Sequence, residues 1–286
     1  MPFKTVNELA VAQSEYGKFW QSFIYKSSQP SVAVGIYADS SVGAGIPTYN
    51  AYVGAQYEFT PLTGEGNKSI YAGPVTSSNK YVAEAEISTA AAAAPAYFVF
   101  ADYLGFYPLV DGDSVDVQTL VNSQSLPRYE SGSGVQAFMV MQTPGSPVAV
   151  TATMTYTNEL GVSGRTSSFG VYGQTVIGAL VNQGTSVAGA QANAAFMTLA
   201  NGDNGIRSIE DITFNGAIGG FVNIVLCKPL FGIQLLEQNT AAEKTFIKEA
   251  GVLPKVLPGA FLQFIGLRGS ATAPQPLRGR INFVWE

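Results

Sequence analysis

Histidine is absent from all 286 residues, and no other feature of the sequence removes as much chemistry. Without imidazole there is no Ser-His or Cys-His nucleophile system, and the commonest general base and metal ligand are missing. A zinc or iron site would have to use carboxylates and one thiol, and no such cluster is visible. Cysteine occurs once, at Cys227 in the apolar run FVNIVLCKPL. No intramolecular disulfide can form, and the thiol reads as a small buried hydrophobe. Charge is scarce too: 15 basic and 20 acidic residues give 12% charged residues and a net charge of −5, against about 25% in a typical soluble protein. No stretch concentrates Lys or Arg, so neither direct nucleic-acid binding nor attraction to a membrane surface is expected.

Long apolar runs are missing as well. The longest, residues 90–101, is too short for a membrane helix, contains Pro95 and is followed by Asp102, so no span is expected. The opening MPFKTVNELAVAQSEYG has neither a basic n-region nor a continuous apolar h-region, so no secretory signal is expected. The 31 glycines never fall into a phosphate-loop or G-x-G-x-x-G pattern, and no cofactor is expected.

What remains is 47% hydrophobic, with uncharged Ser, Thr, Asn, Gln and Gly left to cover the exterior. A surface poor in solvated charge loses little when it docks against another subunit, because interface cores are depleted in charge. The 14 tyrosines and 17 phenylalanines suit core and interface packing, with a carbohydrate-binding surface as the alternative use.

Local patterns give mainly strands. The clearest is PVAVTATMTYTNE, where Val148, Val150, Ala152, Met154 and Tyr156 alternate with Ala149 and four threonines. Turn chemistry over 158–164 then returns the chain as a hairpin through 165–171. Further strands are expected at 135–141, 209–214, 221–227, 261–266 and 281–285, with short ones among AVGIY and AYVGAQYEF. The aromatic-rich YFVFADYLGFYPLV reads as strand, whereas its alanine content makes 80–94 a helix candidate that Pro95 stops. An N-terminal helix is expected from the capping pair Thr5 and Glu8, with Val6, Leu9, Ala10, Trp20, Phe23 and Ile24 on its apolar side. A second short helix is expected over 241–250, from Thr240 and Glu243 with Gly251 as its stop.

Together these give a mainly β chain of sandwich or jelly-roll-like antiparallel sheets with an N-terminal helix and one short helix near the C-terminus. The expected organisation is a helical arm over 1–30, a β-rich unit over 31–130 and a sandwich-like unit over 131–286, or one continuous domain. FYPLVDGD at 106–113 also lines up with FMTLANGD at 196–203, as a duplicated β-unit would.

Asp111, Asp113 and Asp116 in DGDSVD form the densest acidic cluster. Turn chemistry beside Gly112 accounts for the spacing. Oxygen ligands at alternate loop positions also suit calcium, although the EF-hand pattern is not met, and a paired-carboxylate glycosidase needs no histidine. No catalytic residue is assigned.

Four segments, ADYLGFYPLVDGDSVDVQTLVNSQSLPRYESGSGVQAFMVMQTPG, VTATMTYTNELGVSGRTSSF, GDNGIRSIEDITFNGAIGGFVNIVLCKPL and AAEKTFIKEAGVLPKVLPGAFLQFI, resemble a group of tailed-bacteriophage virion structural proteins. The resemblance covers roughly residues 80–286 and lies in short phrases and general character, with no functional motif. It implies a virion component such as a capsid decoration or cement protein, and the charge-poor exterior adds the expected partners: copies of itself, in a closed ring such as a trimer, and the capsid shell protein. It brings no catalytic residues. Alternatives are the major capsid shell subunit, expected to carry a long spine helix, and a glycan-binding tail protein using exposed Tyr and Trp.

Overall fold

A computed structural model describes residues 3, 5–14, 17–64, 66–76, 79–89, 94–183, 194–246, 253–269 and 276–286. The single α-helix among the described elements, α1 (Val6–Ser14), starts as expected, with the Glu8 N–H donating to Thr5 Oγ1 at 3.1 Å. It stops far sooner than the sequence pattern implied. Gly17 takes a left-handed φ of 60°, and the chain re-enters as strand β1 (Phe19–Ser28). Trp20, Phe23 and Ile24 therefore belong to a strand, and the expected helical arm over 1–30 is corrected to nine helical residues followed by β structure. The reason is legible in β1 itself. Ser22, Ile24 and Lys26 are buried while Phe23, Tyr25 and Ser27 are exposed, a period of two that only a strand presents.

The following strands are β2 (Tyr37–Asp39), β3 (Ala44–Ile46), β4 (Thr60–Pro61), β5 (Lys80–Thr89), β6 (Ala96–Asp111), β7 (Gln118–Thr119), β8 (Gln136–Met141) and β9 (Ala149–Asn158). After these come β10 (Arg165–Tyr172), β11 (Ile206–Phe214), β12 (Phe221–Leu235), β13 (Ala242–Thr245), β14 (Lys255–Val256), β15 (Leu262–Arg268) and β16 (Leu277–Trp285). They form three sheets in which neighbouring strands run antiparallel. A first sheet has the order β13-β5-β16-β1-β3 with β14 also on β5, and a central sheet has the order β2-β15-β6-β12-β8 with β4 also on β6. A third has the order β10-β9-β11-β7.

This pairing overturns one helical expectation over its described strand residues and the start of another. Residues 80–89 of the 80–94 candidate are β5, held between β16 and β13, because cross-strand burial of Val82, Ala85 and Ile87 outweighs the weak helical preference of the alanines. Residues 242–245 of the 241–250 candidate are β13 on the other edge of β5, Phe246 is helical, and 247–250 lie outside the described residues. The hairpin β9–β10 and its inward face of Val150, Ala152, Met154 and Tyr156 match the sequence reading. The 106–113 and 196–203 phrases do not share a structure: the first is the end of β6, the second a turn with no strand. Strands from either side of residue 130 interleave in both the first and the central sheets.

The central sheet is buried on both faces. On one face, Ala96, Phe98 and Phe100 of β6 pack with Ile24, Val82, Ile281 and Phe283 of the first sheet. Further along that face, Leu104, Tyr107 and Val110 pack with Ala152, Met154, Phe169 and Ile212 of the third sheet. The opposite face, carrying Val99, Ala101, Tyr103 and Phe106, is covered by Tyr52, Leu180 and their neighbours. Tyr107 also stitches two layers together, donating to Asn122 Oδ1 at 2.7 Å and accepting the Ile209 N–H at 2.9 Å.

Asp102 sits midway along β6, where the partner of the shared face changes from the first sheet to the third. A carboxylate there must be matched, and Arg128, in the loop after β7, matches it. Its Nε and Nη2 donate to the two Asp102 oxygens at 2.8 and 2.7 Å, while the remaining bonds go to the carbonyls of Leu62 (3.0 Å) and Tyr103 (2.9 Å). The Phe261 N–H adds a third bond to Asp102 at 2.9 Å. Burial pushes the carboxyl pKa up and the guanidinium opposes it. Removing one member of such a pair strands the other in a dry core. Arg128→Ala is expected to cost about 3–5 kcal/mol in denaturant unfolding, and Asp102→Leu combined with Arg128→Met to recover most of it. An unchanged midpoint in the single variant contradicts this role.

Candidate functional site

The acidic cluster is a turn. Asp111 closes β6 and its Oδ1 accepts the Asp113 N–H at 2.9 Å, while the Asp116 N–H donates to Ser114 Oγ at 3.3 Å. Asp113 and Asp116 are exposed and Asp111 is half-buried. Among the described residues no group of three His, Cys, Asp or Glu side chains is gathered as a metal ion would require.

The densest ionisable constellation lies elsewhere, around Asp39 at the end of β2. Its carboxylate accepts the Ser41 N–H at 2.8 Å, Ser41 Oγ at 2.7 Å, Tyr103 OH at 2.9 Å and Tyr52 OH. Burial pushes the Asp39 carboxyl pKa up, and burial with the adjacent carboxylate pushes both phenols far up. The group straps the chain around 39–52 onto the central sheet, above Cys227 and Phe138. Asp39, Tyr52 and Tyr103 are all buried, so the group sits within the packing of the central sheet. Nothing local in the sequence links them: Tyr52 and Tyr103 stand 13 and 64 residues from Asp39.

Lys26 lies nearby, buried, with Nζ donating to the carbonyls of Gly43 (3.2 Å) and Pro47 (2.6 Å). A third cluster, on the edge of the third sheet, joins Arg165 Nε to Asp203 at 2.9 Å, with Asn158 Nδ2 also donating to Asp203 at 2.9 Å. The Arg165 hydrogen bond is the main cause that holds the Asp203 carboxyl down at about 2. Arg268 stands apart, 4% exposed, with neither terminal nitrogen partnered among the described residues.

These placements bear on the exterior. Among the described residues six charged side chains (Lys26, Asp39, Lys80, Asp102, Arg128 and Arg268) are buried, and Arg280 is tied to Glu84 and Glu86 at 3.7 and 2.7 Å. Large apolar side chains such as Phe23, Ile46, Val53 and Leu160 are exposed. Two open grooves are mostly apolar: one of about 410 Å³ runs beside β1 between Trp20, Phe23, Ile46 and Tyr71, and another of about 520 Å³ lies between Pro30, Val42, Tyr49 and Ile177. Sequence reading had placed Phe23 on a helix. The alternation within FWQSFIYKSS is the signal that would have put Phe23 and Tyr25 together on one strand face. No helix among the described residues is long and apolar enough to cross a membrane. Comparison with protein-family models, with curated proteins and with solved structures found no match.

Lys26 supplies a pH test. Burial lowers its pKa from 10.5 to about 8, an effect partly offset by Asp39. Between those values the unfolded chain binds the proton more tightly than the folded one, so folding stability rises with pH across that window. Below it the charged ammonium costs on the order of 3 kcal/mol. Urea midpoints are expected to climb from pH 8 towards 10 in the wild type, and Lys26→Met to flatten that climb. An identical slope in both proteins contradicts the assignment.

Proposed function

We propose that this chain is a structural component of a tailed-phage particle, a capsid-associated decoration or cement protein that works by binding alone. The observation that carries the reading is the exterior. Charge is already sparse in the sequence, some of it is withdrawn into the core, and apolar side chains and grooves remain outside. Docking such a surface removes few hydrated charges and buries apolar area at about 25 cal/mol per Å².

The resemblance over residues 80–286 supplies the biological setting for that surface. Layered antiparallel sheets suit a coat or decoration domain of the sandwich or jelly-roll type. A rigid body also helps, since association loses free energy whenever loops and side chains must be ordered on contact. Many repeated contacts with the shell protein and with further copies then add up to a durable particle. The shell-subunit alternative expects a long spine helix, whereas the described elements offer α1, nine residues long.

Quantitative mass spectrometry of purified particles tests the proposal. A copy number comparable to that of the shell protein is expected for decoration. A handful of copies per particle points to the tail instead, and absence from the particle contradicts the proposal.

A further inference from the structure

The free edge of the first sheet opens into an apolar groove whose far wall is the 67–71 segment, with Ser22 Oγ donating to the Tyr71 carbonyl. β3 pairs with β1 at Tyr25, Lys26 and Ser28, and opposite residues 20–24 no strand follows among the described residues. Unpaired main-chain groups on a strand edge are a template for pairing with another chain, and soluble proteins ordinarily blunt such edges with charge. Here the edge is flanked by Trp20, Phe23, Tyr25, Ile46 and Tyr71, which are 37% to 69% exposed. Trp20, Phe23, Ile46 and Tyr71 line the 410 Å³ groove, and Tyr25 is in register with Ile46.

Side chains of this size bury roughly 150–250 Å² each, so the five together leave about 500 Å² in water. That lies in the upper part of the range of about 300–600 Å² for the largest apolar patch on a monomer. With a polar rim it approaches the roughly 800 Å² that each partner contributes to a stable complex.

The rim decides what kind of partner fits. Arg280 is already matched by Glu84 and Glu86, and the Arg278 guanidinium lies over the Tyr25 ring at 5.6 Å, so both arginines are engaged within the chain. The amides are engaged as well: Gln21 Nε2 donates to Asn282 Oδ1 at 3.0 Å, and Asn67 Oδ1 accepts Thr48 Oγ1 at 3.0 Å. Sugar hydroxyls would find few open partners. A second copy of the chain, by contrast, brings an equally neutral apolar patch and an equally unpaired edge. We infer that the β1 edge, centred on Phe23 and Ile46, is the contact through which one copy of this chain docks on another.

The inference deepens the docking function proposed above and rests on it, but it is tested separately, in the absence of particles. Analytical ultracentrifugation of the full chain is expected to show concentration-dependent association. Phe23→Lys with Ile46→Lys is expected to weaken it by about tenfold or more, as loss of central interface side chains does. Tyr71→Ser serves as a milder second variant. Leu160→Lys, on the hairpin tip where Leu160 is 76% exposed, is expected to leave association intact. Unaltered circular dichroism confirms that each variant folds.

Three results overturn the inference: a wild type that sediments as a single chain at every concentration, an oligomer that survives the double substitution, or a monomer whose Trp20 fluorescence responds to added oligosaccharide or to phage shells alone. A monomer that still enters particles sinks the self-contact and leaves the virion role standing. An oligomer absent from particles does the reverse.

Discussion

β6 and β12 lie side by side from Ala96 opposite Leu235 to Asp111 opposite Phe221, and the other layers are attached to this pair. Because both faces of their sheet are dry, the two strands must be nearly continuous in apolar residues, and they are. The ladder tolerates interruptions where the register shifts. Pro229 falls at one such shift, and Leu109, with a left-handed φ of 57°, falls at another, where the Asn223 side chain accepts the Leu109 N–H at 3.2 Å in place of a main-chain partner. Gly105 answers a different demand. A Cβ there would come within 2.3 Å of the Phe59 ring where β4 crosses.

A sheet buried on both sides has consequences for charge. Asp102 and Asp39 both lie within it, and each is held by donors from distant parts of the chain. Arg128 brings the loop after β7 into the seam between the two packed layers, and Tyr52 and Ser41 bring the 40–52 segment onto the far face. The same residues that fix the interior are therefore lost to the exterior. That leaves a surface on which neutral and apolar groups dominate, and it is this surface, with the uncovered edge of β1, that makes docking the proposed function.

The antiparallel β character, the β9–β10 hairpin and most of the later strands were legible because their alternation is local. The strand expected over 221–227 runs on through Pro229 to Leu235, and the register shift that admits the proline depends on β6. Residues 80–89 and 19–28 were misread for a related reason: alanines in one and a helix-like spacing in the other gave weak local preferences, which pairing with β16 overrode. The surface was legible only in bulk. Low charge pointed to docking, but the patch around Phe23 depends on knowing that β1 is a strand and that β3 covers only part of it. Asp39 and Asp102 carried no local sign of burial, since their partners are set by topology.

The central claim is that β6 and β12 bind the two packed layers into one cooperative body, with Asp102 and Arg128 at the join. Native-state hydrogen exchange read by mass spectrometry tests it most directly. The account predicts that peptides from residues 96–101 and from 104–111 share one slow exchange rate and lose protection together as denaturant is added. If the 96–101 half, with the first sheet, opened well before the other, the layers would be separate units and the account would be wrong.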